Sequence, residues 1–266
     1  MITCEIKHVI VDSPHTVTPN RGLGNRLFKV CATLSHAIDN NDLAVFPDLK
    51  DDKHAETIFR NLSFGKDKSF VTRKYKWFKP GFKEIPYNSG TELVGDFQSY
   101  KYFQKNENQI LHLFEPSYQT VDYLREKYSL LTKLQTVGIH VRRGDYVKHP
   151  DSYLPTTLEY VKRARNLFDD MHTFVYFSDD IEWCRDNMKL SDRDWFIEGE
   201  TDVMDMYLMS MMHHNIITNS TFSWWGAYLN QNTKKIVATP KNWYGPSMSD
   251  WHTTDLIPPD WIVLSN

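Results

Sequence analysis

The sequence predicts an α/β protein, and three observations carry that prediction. Short β-branched or aromatic runs alternate with longer stretches of helical period throughout the chain. The alternation becomes regular in the second half, where apolar runs of strand length are each followed by a helical stretch. The 266 residues, 41% hydrophobic and 24% charged, can bury one large core or two modest ones, with no internal repeat or low-complexity tract.

In the first half, a strand around His8–Val11 leads into a loop rich in Pro, Asn and Gly. A helix from about Asn25 then sets Leu27, Val30, Cys31, Leu34 and Ile38 on one face at offsets of three and four. Further helices are predicted over 54–61, 99–114 and 120–132. The second half reads as strand Thr136–Val141, helix 156–169, strand Thr173–Ser178, helix 180–188, strand 195–197, helix 202–213, strand Asn215–Thr218, helix 222–230 and strand Lys235–Ala238. Such a series implies a parallel sheet covered on both faces, with ligands beyond the carboxyl ends of its strands. The pattern divides the chain into 1–133, 134–240 and a tail, 241–266, rich in Pro, Trp and Asp and expected to pack across the surface.

A formal charge of −3 gives no electrostatic footprint for nucleic acid, so an anionic ligand needs a local cationic cluster. No window approaches 18 apolar residues, and the start has neither the basic nor the apolar segment of a leader, so the expectation is a soluble, cytoplasmic protein without a transmembrane segment. Cys4, Cys31 and Cys184 lack metal-ligand spacing and read as reduced thiols.

Four segments carry chemistry. Strand Thr136–Val141, which contains His140, runs directly into Arg142-Arg143-Gly144-Asp145. Two guanidiniums at a buried strand end need an anion, and their forked donors suit a diphosphate. A structural salt bridge to Asp145 or another acid explains them equally well. Asn219-Ser220-Thr221-Phe222-Ser223 follows the strand Asn215–Thr218 and opens a helix, where N–H groups and hydroxyls can hold an anion or Ser/Thr can simply cap. Asp179 and Asp180 close strand Thr173–Ser178; a carboxylate there can accept from the N1–H and amine of guanine or cap the next helix. Gly22-Leu23-Gly24-Asn25-Arg26 opens the first long helix; Gly24 permits close ligand approach, and Asn25 or Arg26 could project into a cleft. Asp192-Arg193-Asp194 has the acid-x-acid form of a metal site but lies in a polar stretch and reads as a solvated turn. His213-His214 ends a methionine-rich helix and reads as packing with a dipole contact.

Taken together, the blocks Gly22–Asn25, Gly95–Phe103, His140–Tyr146, Phe177–Cys184 and His214–Ala227 resemble the α-1,2-fucosyltransferase family, glycosyltransferase family 11, across most of the chain. The resemblance implies a GT-B fold, two Rossmann-like halves facing a cleft, with GDP-fucose on the C-terminal half and the acceptor glycan on the N-terminal half. It implies inverting transfer without a metal or other cofactor, probed below. On this sequence it places Arg142 on the diphosphate with Arg143 beside it, Ser220 to Ser223 as further donors, His140 and Asp179 or Asp180 at guanine, and Asn25 near the reacting centre. Asp145 is a candidate base, or orients an arginine. Arg21 and Arg26 depart from the family's usual glycine and glutamine, on the acceptor side. Eight tryptophans and fourteen tyrosines also admit a carbohydrate-binding protein without catalysis, and another nucleotide sugar is the nearest enzymatic alternative.

Overall fold

The computed structural model describes residues 1–6 and 22–266, so the predicted strand His8–Val11, the loop after it and Arg21 lie outside the described residues. The chain packs as two compact units, Met1–Glu115 with Thr253–Ile257, and Pro116–His252 with Pro258–Asn266. The packing thus divides the chain after Glu115, where the sequence pattern places the division near 133.

The first unit holds a parallel sheet of three strands in the order β1-β3-β2: β1 (Thr3–Cys4), β2 (Arg73–Trp77) and β3 (Thr91–Gly95). Helix α1 (Leu23–Asp39) starts at the Gly22 N-cap, two residues before the predicted start, so Gly24 and Asn25 sit in its first turn rather than in a loop. It is buried nearly all round: Leu27, Val30 and Cys31 are in the core as expected, but Ile38 is exposed. The predicted helix over 54–61 is instead a run of turns, because its amides bond three residues back, as in Ala55 N to Asp52 O and Arg60 N to Thr57 O. The predicted helix over 99–114 is broken into single turns at Tyr100–Tyr102 and Gln104–Asn106, followed by α2 (Glu107–His112).

The second unit opens with α3 (Tyr118–Lys127), which packs on α6. Its strands are β4 (Thr136–Val141), β5 (Thr173–Ser178), β6 (Trp195–Phe196), β7 (His214–Ile216), β8 (Val237–Pro240) and β9 (Ile262–Leu264), all parallel, in the order β6-β5-β4-β7-β8-β9. Renumbered from β4, this is the doubly wound order 3-2-1-4-5-6. The helices are α4 (Leu158–Arg165), α5 (Ile181–Met188), α6 (Asp202–Ser210) and α7 (Thr221–Tyr228). The tail does more than cover a surface: Thr253–Ile257 joins the first unit, and β9 completes the six-stranded sheet.

β4 is buried on both faces, as a central parallel strand must be. One face of the sheet packs Val137, Ile139 and Val141 against Tyr160, Val161 and Ala164 of α4 and Cys184 and Met188 of α5. In the methionine-rich segment, Met206, Met209 and Met212 are buried, and α6 meets α7 at Gly226, where an added Cβ would lie 2.7 Å from Met209 Cε. That approach fits two helices without a gap, and a larger residue there would have to push the Met209 side chain aside.

Candidate functional site

The strand order reverses between β4 and β7, which pair in parallel from Val137–His214 to Ile139–Ile216. Chains leaving neighbouring strands to opposite sides open a crevice at their carboxyl ends, where doubly wound sheets bind ligands. The arginine segment leaves β4 here, and Asn219–Ser223 follows β7. Asp179 and Asp180 follow β5, the neighbour of β4. Three of the four predicted segments are therefore brought together within the second unit.

Arg142 is held on two sides. Its Nε and Nη2 donate to Asp145 Oδ1 at 3.1 and 2.7 Å, and its Nη1 lies 2.8 Å from Asp179 Oδ2. Burial opposes its charge, but Asp179 and Asp145 outweigh burial and hold its pKa above the ordinary arginine value. Arg143 donates its backbone N–H to Asp179 Oδ1 and its Nε to Asp180 Oδ2, each at 2.9 Å. Its guanidinium lies over the ring of Trp183, 3.4 Å from the centroid, in a cation–π contact that fixes the planar fork. The salt bridge to Asp145 expected as one explanation of the pair thus exists, and two further carboxylates join it.

The aspartates do not cap the following helix, which corrects one reading of them: Asp180 stands at the N-cap of α5 without a side-chain capping bond, and Asp179 is turned to the arginine loop. Gly144 seats that loop, since a Cβ there would collide with Asp179 Oδ2.

His140 is buried on β4, its Nδ1 2.5 Å from Ser223 Oγ, which in turn lies 3.2 Å from Thr218 Oγ1. Burial, aided by Arg142, pushes its pKa down to about 3, so the ring is neutral at physiological pH. Phe222 packs on it with centroids 5.0 Å apart. Ser220 is a true N-cap, accepting from Phe222 N–H at 3.3 Å, and Thr221 begins α7. Asn219 turns away from the crevice: its Nδ2 donates to Leu154 O at 3.0 Å and Trp243 O at 2.7 Å, clamping two loops. Its carbonyl accepts from Tyr146 Oη at 2.9 Å, tying the arginine loop to the start of α7.

The fourth segment lies in the first unit. Asn25 Oδ1 accepts from Gln98 Nε2 at 3.0 Å. Gln98 follows Phe97, a buried residue at φ 49°, and a non-glycine held in the left-handed region marks a backbone fixed by its surroundings. Arg26 does not project from the unit: it is buried, pairs with Asp52 and lies 2.7 Å from His54 Nδ1.

Sequence reasoning gave no role to Trp183 and Gln98. The signal for Trp183 was its place one helical turn after Asp179 and Asp180; for Gln98 it was only membership of the block Gly95–Phe103, since its partner is distant in sequence. The acid-x-acid segment does not converge on an ion: Asp192 is solvated beside Lys189, whereas Asp194 is buried on Arg165 at 2.7 Å. His213 and His214 make no dipole contact at the end of α6; their Nδ1 atoms accept from the backbone N–H groups of Thr136 and Ile236.

The crevice carries arginines on one strand end and a helix start on its neighbour, and residues 15–265 match the glycosyl transferase family 11 profile. The chain belongs to glycosyl transferase family 11. It is 30% identical over 251 residues to an alpha-1,2-colitosyltransferase of Escherichia coli, across 91% of this chain and 83% of that protein. It is 29% identical to the O-antigen biosynthesis glycosyltransferase WbnK of Escherichia coli, over 68% of this chain but 63% of the relative's length. The match to the galactoside 2-alpha-L-fucosyltransferase SEC1 of Bos taurus, 38% identical, covers 35% of this chain and 28% of that protein. Among solved structures, the NodZ alpha-1,6-fucosyltransferase soaked with GDP-fucose aligns with TM-score 0.52 at 12% identity, covering 78% of this chain and 89% of its own. The apo form of POFUT1 aligns with TM-score 0.50 at 10% identity, over 90% and 96%. These likenesses give the family 11 chain its fold, the α/β GT-B architecture. No helix among the described residues is long and apolar enough to cross a membrane.

Proposed function

We propose that this family 11 glycosyltransferase moves L-fucose from GDP-fucose to a hydroxyl of a galactoside-type glycan, forming an α-1,2 linkage with inversion and without a metal ion. The observation that carries the reading is the convergence of Arg142, Arg143 and the start of α7 at the strand-order reversal of the second unit. As the sugar C1–O bond breaks, its electron pair leaves with GDP and positive charge grows on the ring. Fixed guanidiniums, the helix N–H groups from Ser220 to Ser223 and the hydroxyls of Ser220 and Thr221 stabilise the developing phosphate charge, the work that a divalent ion would otherwise do, while the buried Ser223 hydroxyl holds His140. Neutral His140 and one acid of the pair Asp179–Asp180 stand for the guanine.

The acceptor oxygen attacks C1 from the face opposite the diphosphate and gives up its proton. Asp145 shares Arg142 with the proposed phosphate position and so belongs to the leaving-group side; we assign it to occupying the phosphate-facing edge of Arg142 until the donor binds rather than to taking that proton. Asn25, fixed by Gln98 in the first unit, is assigned to the acceptor side.

A second reading of the donor sugar is favoured by the 30% identity to the colitosyltransferase. Colitose lacks one ring hydroxyl of fucose, so both GDP-sugars belong in the same test. A panel of GDP-fucose, GDP-colitose, other GDP-sugars and UDP-sugars is followed by thermal shift and by nucleotide release with a galactoside acceptor. Stabilisation by GDP-fucose or GDP-colitose with acceptor-dependent GDP release is expected, and NMR of the product gives linkage and anomeric configuration. Response to UDP-sugars alone would overturn the donor, and sugar binding without turnover would support a lectin.

A further inference from the structure

We infer that Asp179 is a positioning residue that aims Arg142 at the donor diphosphate, and that it does not read the guanine. The inference rests on the proposed GDP-sugar reading and assigns one member of the acid pair within it. Three contacts made by different parts of the arginine loop converge on this carboxylate. Its Oδ1 accepts the backbone N–H of Arg143 at 2.9 Å, and its Oδ2 holds Arg142 Nη1 at 2.8 Å. Gly144 leaves it room, since any Cβ at that position would strike Oδ2. A guanine edge asks for both oxygens of one carboxylate turned toward it, and both oxygens of Asp179 are turned to the arginine loop, Oδ1 to the Arg143 N–H and Oδ2 to Arg142 Nη1. Asp180 gives only Oδ2, to the Arg143 side chain.

The consequence is directional. With Nη1 fixed on Asp179, Arg142 turns its Nε–Nη2 edge outward, and that edge is closed by Asp145, a neighbour three residues on whose side chain is 56% exposed. An incoming diphosphate can replace the exposed Asp145, because the forked edge fits two phosphate oxygens as it fits a carboxylate. It cannot readily replace Asp179, which the backbone and Gly144 hold in place. One carboxylate therefore sets the geometry, and the other keeps the ligand edge occupied.

The test separates the two halves of GDP. Affinities for GDP, inorganic pyrophosphate and guanosine are measured by calorimetry or competition on the full chain and on Asp179→Asn, with thermal melting as the check on folding. Asp179→Asn is expected to weaken GDP and pyrophosphate by the same factor, about 10- to 100-fold for one charge-assisted contact, and to leave guanosine unchanged. Gly144→Ala retains the carboxylate but displaces it, and should give the same pattern even if Asp179→Asn does not fold. Loss of guanosine and GDP binding with pyrophosphate untouched in either variant would overturn the assignment, as would wild-type affinity for all three. If the wild-type chain binds no GDP, the donor reading fails instead, a separate result.

Discussion

Replacing Arg142 by lysine keeps the charge and removes the fork, so it isolates what the guanidinium geometry contributes. Arg142 uses three N–H directions at once, Nε and Nη2 toward Asp145 at 3.1 and 2.7 Å and Nη1 toward Asp179 at 2.8 Å. A lysine ammonium is a single point at the end of a flexible stem and cannot lean on Asp179 while offering a two-pronged edge outward. One to two charge-assisted hydrogen bonds are lost, each worth about 1.5–3 kcal/mol, and the retained charge recovers part of that. The remaining cost is about 2–4 kcal/mol in the transition state, a fall of roughly 30- to 1,000-fold in kcat/KM. Charge on the phosphate grows as the bond breaks, so most of the loss should appear in kcat rather than KM. The assay is steady-state GDP release from GDP-fucose with a galactoside acceptor, beside a thermal melt. Little change in melting is expected, since Asp179 still holds the Arg143 N–H. Turnover within about threefold of wild type in a folded Arg142→Lys variant would refute the reasoning, because a fork that can be lost without consequence is not aimed at the reacting phosphate.

Further outcomes follow from the same geometry. Burial, with Glu200 and Asp202 nearby, pushes the Asp205 carboxyl up to about 7 against the pull of Lys127. A carboxyl raised above its unfolded value gives stability that is whole below the unfolded pKa of about 3.9 and lost as pH rises through 7. Asp205→Asn should therefore gain on wild type between pH 4 and pH 8, by up to about 4 kcal/mol in denaturant titrations; parallel pH curves would refute this. Chelation should leave turnover intact, and restoration by Mn²⁺ after a complete loss would return attention to Asp192 and Asp194. Asp194→Ala removes the acid from part-buried Arg165, which keeps Tyr176 Oη, and should cost about 1.5–3 kcal/mol of stability, with Asp192→Ala within about 0.5 kcal/mol of wild type. Asn219→Ala should lower the melting temperature, since two carbonyls, Leu154 O and Trp243 O, lose their donor; unchanged melting would show that the clamp bears no load.

How much could be read in advance depended on where each strand lies. β4 and β5 were legible to the residue because a parallel strand covered on both faces is mostly apolar and β-prone, and Thr136–Val141 and Thr173–Ser178 are such runs, with polar residues chiefly at their ends. β2 was not, because Arg73-Lys74-Tyr75-Lys76-Trp77 is an edge strand whose charged side chains keep it from further pairing and break the apolar pattern. The false helix over 54–61 has the opposite cause: Ile58, Phe59 and Leu62 are spaced as on a helix face and are buried, but the backbone closes tighter turns around them. Side-chain identity at the strand ends was likewise legible, and pairing was not, since which carboxylate takes which guanidinium is decided by tertiary approach at Gly144. These gaps do not weigh equally on function. The strand-order reversal lies between β4 and β7, both foreseen, and adding or removing β9 at the far edge of the sheet leaves that reversal in place. The proposed donor side could therefore be placed despite a missed strand. In the first unit the sheet itself was unread, and with it the strand end that brings Gln98 onto Asn25. The proposed acceptor side stayed illegible for that reason: Asn25 meets Gln98 only through the end of β3, a short central strand between β1 and the charged edge strand β2.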